Sequence, residues 1–579
     1  MQRILMVFAL IALGCDGDTM TDAGPPPDDT GVAPGDAGVD GGPPPPPFVP
    51  DSYCPGGAGC EAGAGGTLEV GAAAVTITPI IDDTTDILSV DTDGDGEFEP
   101  GDGDEFADRD GVPGFQGVWI AGFGNARAAS GVNDDVWARA VVMQNADTTI
   151  ALVSLDVIGW FKPDMDVIRE MVADLGIDHV AISATHTHQN RDTIGIWGIA
   201  QDSTGRSDAY NQRVREGAAQ AIRDAHETLR PANVQYSAVD LREKPGGVTR
   251  WVGDLRDPVI LDPEIRVMRF VEAGTETTIG TLVNFATHPE YLDDRNTLIS
   301  SDVAHWLRDG IESGVDGPGG ERVDGVGGVA VFMNGAVGSQ IGPNGLDVQT
   351  WAGEALSQRD DVYRWTGTVG GQLAHFVLES LGPDGGSTTD ETAALGYRTR
   401  TFFVDVQNVG FHIAILQQLF DRPGHNWDPD DLLIAGENEP DLLTEVTVLD
   451  IGRAQLITAP GELDPQLFLG GYDGAYTPDG VPIIAADNEN PPDLDAAPGP
   501  PYLRDRARAD AEQVWLLGQT NDYLGYLVPE YNYQLAETAP YLDQAPGDHY
   551  EETNSVGVDG WPTIRRELEA LLAWSPDEG

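Results

Sequence analysis

The sequence predicts a mixed α/β body, β-sheets flanked by helices, preceded by a disordered tether. Three observations predict it. Apolar runs of strand length alternate with helical periods from Thr67 onward, a Pro/Gly/Asp-rich stretch lies before them, and no internal repeat interrupts the pattern. In order, Ile150 to Leu155 reads as a buried strand, Asp164 to Leu175 as a helix and His179 to Ala184 as a strand. Asp208 to Leu229 carries a long helical period, Thr278 to Ala286 a strand and Val303 to Ile311 a helix. Val329 to Met333, Val446 to Asp450, Ala454 to Thr458 and Val514 to Leu517 add strands, while Val369 to Leu381 and Ile564 to Leu572 read as helices.

Residues 16 to about 53 are Asp, Gly and Pro in abundance, including Pro43 to Pro47, with almost nothing to bury. Such chain is flexible or polyproline. With the small Gly-rich loop between Cys54 and Cys60, the tether is assigned to residues 16–66 and the folded body to 67–579. In an exported protein that cysteine pair reads as a disulfide. A metal site there is disfavoured because no His or third Cys lies nearby, and no thiol is a candidate nucleophile.

The first fifteen residues have Arg3, an apolar run from Ile4 to Leu13, then Gly14-Cys15, the layout of a secretory signal. The run is too short for a bilayer span, which needs about 20 residues. Ala12-Leu13-Gly14-Cys15 resembles a bacterial lipobox, with Ala12 at the usual Leu position. The expectation is an exported protein of the bacterial cell envelope, anchored to the membrane by a lipid on Cys15. The alternative is an ordinary cleaved signal, an incidental cysteine and a secreted product.

Asp and Glu total 96 against 32 Lys and Arg, a formal net charge of -64 spread along the chain. Such a surface repels phosphates, so no nucleic-acid partner is expected; its simplest use is solubility. One acidic segment, an insertion at about 82–114, is more specific. Asp91, Asp93, Asp95, Glu97, Glu99 and Asp102 stand at positions one, three, five, seven, nine and twelve of a loop with Gly96 at six and Phe98 at eight. That is the pattern of an EF-hand calcium loop, with Asp for Glu at position twelve and no flanking helices. A structural calcium ion or a merely solvated acidic loop both fit.

The chemistry-bearing residues follow strands. His186 and His188 come directly after His179 to Ala184, at i and i+2, so in extended chain they share a face. A lone His-x-His is as readily a surface pair as a metal site. Two further strands end alike: Leu282 to Ala286 leads to Thr287-His288-Pro289, and Leu456 to Thr458 leads to Ala459-Pro460-Gly461-Glu462. Three strands each ending in a metal-capable residue suggest one shared cleft.

These segments resemble, in order, those of the neutral/alkaline non-lysosomal ceramidases: Ala184-Thr185-His186-Thr187-His188, Ala286-Thr287-His288-Pro289 and Pro460-Gly461-Glu462. Asn521-Asp522-Tyr523-Leu524-Gly525-Tyr526 resembles the family's Asn-x-Tyr-x-x-Tyr, and Tyr550-Glu551 its later Tyr-Glu. Gly122 to Asn125 and Trp137 to Ala140 resemble the family's opening segment, and the likeness runs over about residues 68 to 570. It implies a catalytic domain of that kind, without the family's C-terminal immunoglobulin-like domain.

By resemblance the zinc ligands are His186, His288, Glu462 and Tyr526. The resemblance also implies Arg250 as a pocket arginine and Ser339 and Tyr550 as active-site hydroxyls; Tyr550 or Arg250 would hold the oxyanion, and His188, beside the metal but not assigned to it, would carry the proton. Zinc would acidify a water that attacks an N-acyl amide, ceramide or a related lipid or small amide. Departures bear on substrate: Gln189-Asn190-Arg191-Asp192 replaces Ser-Gly-Pro-Gly, and Gln340-Ile341 replaces Pro-Asn. A zinc hydrolase of the same fold acting on another amide or an ester, and a metal-binding surface lipoprotein without turnover, are the competing expectations. Tyr523 reads equally as a core or rim aromatic, and Asp156 and Asp302 as candidates to orient a ligand histidine.

Overall fold

The longest apolar strands pair into one mixed sheet whose order in space is Val329–Asn334, Thr278–Phe285, Glu264–Glu272, Arg230–Asp240, Glu69–Thr76, Trp137–Asn145, Thr148–Leu155 and His179–Ala184. Thr388–Asp390 adds a short pairing to Arg230–Asp240. Both outer pairs are parallel and the inner pairs antiparallel. A second sheet runs Ser52–Cys54, Leu395–Asp405, Asp441–Ile451, Ala454–Thr458 and Gln513–Leu517. This is a computed structural model, and it describes residues 48–58, 60, 66–81, 87–90, 92, 103, 105–107 and 117–576 apart from 202, 344, 434–436 and 548. Residues Phe48–Gly579 form one unit.

The two sheets pack face to face. Val70, Val141, Leu152, Val234, Leu282 and Val331 of the first share one buried cluster with Leu449, Leu456, Trp515 and Leu517 of the second. Alternation sends Ala138, Ala140 and Val142 to the opposite face, where they meet Val214, Ala218 and Ala221 of helix Asp208–Glu227. Helix Gly560–Ala573 covers the second sheet. The layers are therefore helix, sheet, sheet, helix, the mixed α/β architecture expected.

His179–Ala184 and Ala454–Thr458 lie where the sequence places them. Leu395–Asp405 does not appear among the expected strands because Arg398, Thr399, Arg400 and Thr401 interrupt its apolar pattern. The 16–66 tether boundary needs correction. Ser52–Cys54 pairs with Leu395–Asp405, setting Ser52 against Thr399, and Cys54 is disulfide-bonded to Cys60. Backbone pairing needs no apolar side chains, so composition hid it. Cys15 and the calcium candidates Asp91, Asp93, Asp95, Glu97, Glu99 and Asp102 lie outside the described residues.

Candidate metal centre at the strand ends

Each candidate side chain leaves the end of a strand and is held by the neighbouring parallel strand's continuation. His186 follows His179–Ala184; its backbone N–H donates to Val157 and its Nδ1 to the Ile158 carbonyl at 2.5 Å, just beyond the parallel strand Thr148–Leu155. His288 follows Thr278–Phe285, and its backbone N–H and Nδ1 (3.1 Å) both donate to the Gln340 carbonyl, beyond the parallel strand Val329–Asn334. Glu462–Leu463 pairs in parallel with Tyr526–Leu527, setting Glu462 opposite Tyr526. His186 has φ 68°, so the segment is not extended as the sequence reading supposed. The rings of His186 and His188 nevertheless lie 4.9 Å apart, brought together by a left-handed residue instead of by strand alternation.

Nitrogens of His186, His188 and His288 all lie within 4.8 Å of one another. Glu462 Oε2 is 3.0 Å from His288 Nε2 and 3.4 Å from His186 Nε2. Tyr526 OH is 3.4 Å from His288 Nε2 and 3.2 Å from Tyr550 OH. The set the sequence names as ligands is thus brought together, with His188 and Tyr550 beside it.

The donor set can be tested against a metal. In both His186 and His288 one ring nitrogen faces a carbonyl and the other faces the Glu462 carboxylate. Either each ring carries two protons, or a cation sits where the Nε2 lone pairs and the carboxylate converge. Two or three imidazoles, a carboxylate and a phenol oxygen are donors that zinc takes. The Nδ1 contacts are the orienting bonds that ligating histidines normally make.

Burial works against ionising Glu462, but the adjacent His186 and His288 outweigh it and hold its carboxyl well below the usual range. Burial, then the neighbouring His186 and His288, pushes His188 well below an ordinary imidazole, so it is neutral. The hydroxyls of Tyr523 and Tyr526 are pushed up by burial and then by Glu462, and that of Tyr550 by burial and then by Glu551, leaving all three as donors. Glu290 is pushed up to about 7 by burial, against the pull of His288.

The cluster forms the polar part of a cavity of about 280 Å³ whose other walls include Phe123, Phe161, Ile194, Trp197, Phe420 and Leu442. Close packing leaves two glycines no alternative. A Cβ on Gly122, which has φ 105°, would lie 2.4 Å from His188 Cγ, and one on Gly159 would lie 2.8 Å from Tyr523 Cγ.

Other sequence expectations need correction. Arg250 ends a one-turn 3-10 segment, donates to the Pro245 carbonyl at 3.2 Å and lines a separate surface hollow with Asp347 and Gln349. The arginine that does line the cavity is Arg422, paired with Asp522 at 3.0 Å and stacked over Phe161. Ser339 is buried, but its side chain lies beside the Asp254 carboxyl and it is not among the residues lining the cavity. Asp156 pairs with Arg308 and Asp302 caps helix Val303–Ser313, so neither orients a histidine.

Sequence reasoning missed Tyr523, whose hydroxyl donates to Glu462 Oε1 at 2.6 Å. Its position three residues before Tyr526 was the available signal. The loop from Gln189 to Asp192 after His188 does not itself line the cavity. Gln189, Asn190 and Asp192 are fully buried and turned away from the cavity. Asp192 accepts from the backbone N–H groups of Ile194, Gly195 and Trp197, and so holds the apolar wall those residues build.

Fold and site together define a mixed α/β protein with a metal-capable His/Glu/Tyr cluster opening into an apolar cavity. Residues 113–345 match the family model of the neutral/alkaline non-lysosomal ceramidase N-terminal domain, and the resemblance drawn from the motifs is borne out over that segment. The fold is similar to a crystal structure of neutral ceramidase from Pseudomonas aeruginosa, with TM-score 0.56 and 15% identity over 89% of this chain and 75% of that one. A ceramidase complexed with C2 gives TM-score 0.54 and 15% identity over 88% and 75%. No curated protein matches the sequence.

Proposed function

We propose that the protein is a zinc-dependent hydrolase that cleaves the C–N bond of an N-acyl amide, a ceramide-type lipid or a related amide, releasing fatty acid and amine. One observation carries this reading: His186, His188 and Glu462 stand on the wall of a largely apolar cavity, with His288 against Glu462 and close to both histidines. An acyl chain suits the apolar walls, and its carbonyl then lies at the polar cluster.

The ligands we assign are His186, His288, Glu462 and Tyr526, with Tyr523 orienting Glu462. Bound zinc supplies a Lewis acid and a water acidified to about 7. Tyr550, kept protonated by burial, donates to the developing oxyanion. His188, kept neutral, takes a proton from the attacking water and delivers it to the leaving amine. Ser339 faces Asp254 and Arg250 lies in a surface hollow, so neither is given a role.

The signal-like first fifteen residues and Cys15 support an exported, lipid-anchored protein working near a membrane. No described helix is long and apolar enough to cross one. The acidic residues from Asp91 to Asp102 would hold calcium for structure.

A second reading, the same chemistry on a different amide or an ester, is favoured by the cavity wall of Ile194 and Trp197, which Asp192 of the segment that departs from the family's motif holds in place. The test is release of fatty acid from labelled ceramide with chelator and then zinc. Zinc-restored release supports the proposal. Bound zinc with turnover of other amides or esters alone moves it to the second reading, and no hydrolysis of any substrate overturns it.

A further inference from the structure

Glu290 is a buried carboxylate that neither the motifs nor the assigned ligands use. It follows His288 by two residues in a turn that also touches His188. The Pro289 carbonyl accepts the His188 backbone N–H at 3.0 Å, and Glu290 Oε2 lies 3.5 Å from His188 Nδ1. Arg127 donates to the His188 carbonyl. The backbone of His188 is therefore fixed at both its N–H and its carbonyl, while neither ring nitrogen has a hydrogen-bond partner among the described residues. Glu290 Oε1 is also buried and, among the described residues, without a partner. The turn itself is rigid, because Asp302 accepts from the N–H groups of Tyr291 (3.0 Å) and Leu292 (2.9 Å).

The other two cluster histidines have their Nδ1 satisfied by carbonyls. For His188 no carbonyl is in place, and Glu290 is the group that faces the same nitrogen. A small rotation of the ring or the carboxylate closes 3.5 Å to a bond, and such bonds are commonly long before substrate arrives. Phe123 packs edge-on to the ring, at 5.1 Å between centroids, and Gly122 leaves it room.

We propose that Glu290 is the positioning residue of His188: its carboxylate accepts the Nδ1–H, leaving Nε2 as the ring's proton acceptor, and it stabilises the imidazolium once His188 has taken a proton. No atom of Glu290 reacts. The inference rests on the proton-carrying role proposed for His188.

The test compares the full protein with Glu290→Gln and Glu290→Asp. Expected for Glu290→Gln are a kcat about 10–100-fold lower, a KM within about twofold, and unchanged zinc affinity by chelator competition, with partial recovery in Glu290→Asp. Separately, histidine 15N spectra of the zinc-free protein, assigned with His188→Gln, should show the His188 ring protonated at Nδ1 in the parent and redistributed in Glu290→Gln. An unchanged kcat and unchanged tautomer overturn the proposal. Zinc affinity lost in step with kcat also overturns it, because Glu290 would then serve the metal and not the proton carrier. If the parent turns over no substrate, the proposed activity fails, and the 15N spectra still decide the Glu290–His188 pair.

Discussion

Two buried carboxylates sit near the histidine segment and have opposite surroundings. Asp156 accepts from both terminal nitrogens of Arg308 at 2.8 Å, from Ser301 at 2.8 Å and from the Trp137 backbone at 2.9 Å. Glu290 has one imidazole at 3.5 Å and a bare oxygen. A buried charge left incompletely satisfied costs stability, and a fold that keeps one has a use for it at that place. The satisfied carboxylate ties strand Trp137–Asn145 to helix Val303–Ser313; the unsatisfied one lies beside the cavity. Residue type and burial are alike, so the hydrogen-bond inventory is what separates structure from chemistry.

The largest expected effect tests the structural half of this contrast. Asp156→Ala leaves Arg308 buried and unpaired, which should cost about 3–5 kcal/mol in denaturant unfolding. Folded molecules of the variant should keep their zinc affinity. A cost near that of a surface substitution would break the distinction, since Asp156 would then resemble Glu290 in contributing little to the fold.

His179 sharpens the contrast from the side of the imidazoles. It is buried, stacked on Tyr397, and within hydrogen-bond reach of Thr447 at 3.3 Å. Burial is the main cause of its lowered value, about 4 against an ordinary 6.5, with nearby Glu445 acting the other way. The unfolded chain therefore takes up this proton first as the pH falls. The contribution to stability is fully present above about 6.5 and is lost as the pH falls through 6.5 toward 4. At about 1.4 kcal/mol per unit the loss is on the order of 3 kcal/mol. Subtracting the unfolding curve of His179→Gln from that of the parent across this window isolates it from the many acidic side chains. A flat difference would mean that burial does not lower His179 and that it takes up its proton alike in the folded and unfolded chain.

How much of this was legible in the sequence depends on the kind of interaction. The strands that deliver His186, His288 and Glu462 announce themselves by apolar runs ending in a polar residue, and their spacing along the chain is that of the resembling family. Glu290 and Tyr523 act through contacts with residues distant in sequence, which no local pattern records. The same holds for Asp192, whose buried carboxylate reads on paper as a loop acid and in space as the clasp of an apolar wall. Ser52–Cys54 was hidden for a different reason, because an edge pairing uses backbone groups that every residue has.

Arg250 gives the smallest expected effect. The motif-based reading set it in the pocket, whereas its guanidinium donates to the nearby Pro245 carbonyl and it lines a surface hollow. Removing a charge held in this way shifts stability by no more than about 0.5 kcal/mol. Arg250→Ala should therefore leave kcat, KM and unfolding within error of the parent. The cavity's own cation, Arg422, is fixed by Asp522 and by the carbonyls of Tyr523 and Leu443, so its charge is spent inside the wall and not on a ligand. A large fall in kcat for Arg250→Ala would show that the Gly246-Gly247 turn swings inward when substrate is bound, and the boundary between the fixed wall and the reacting groups would have to be redrawn to include it.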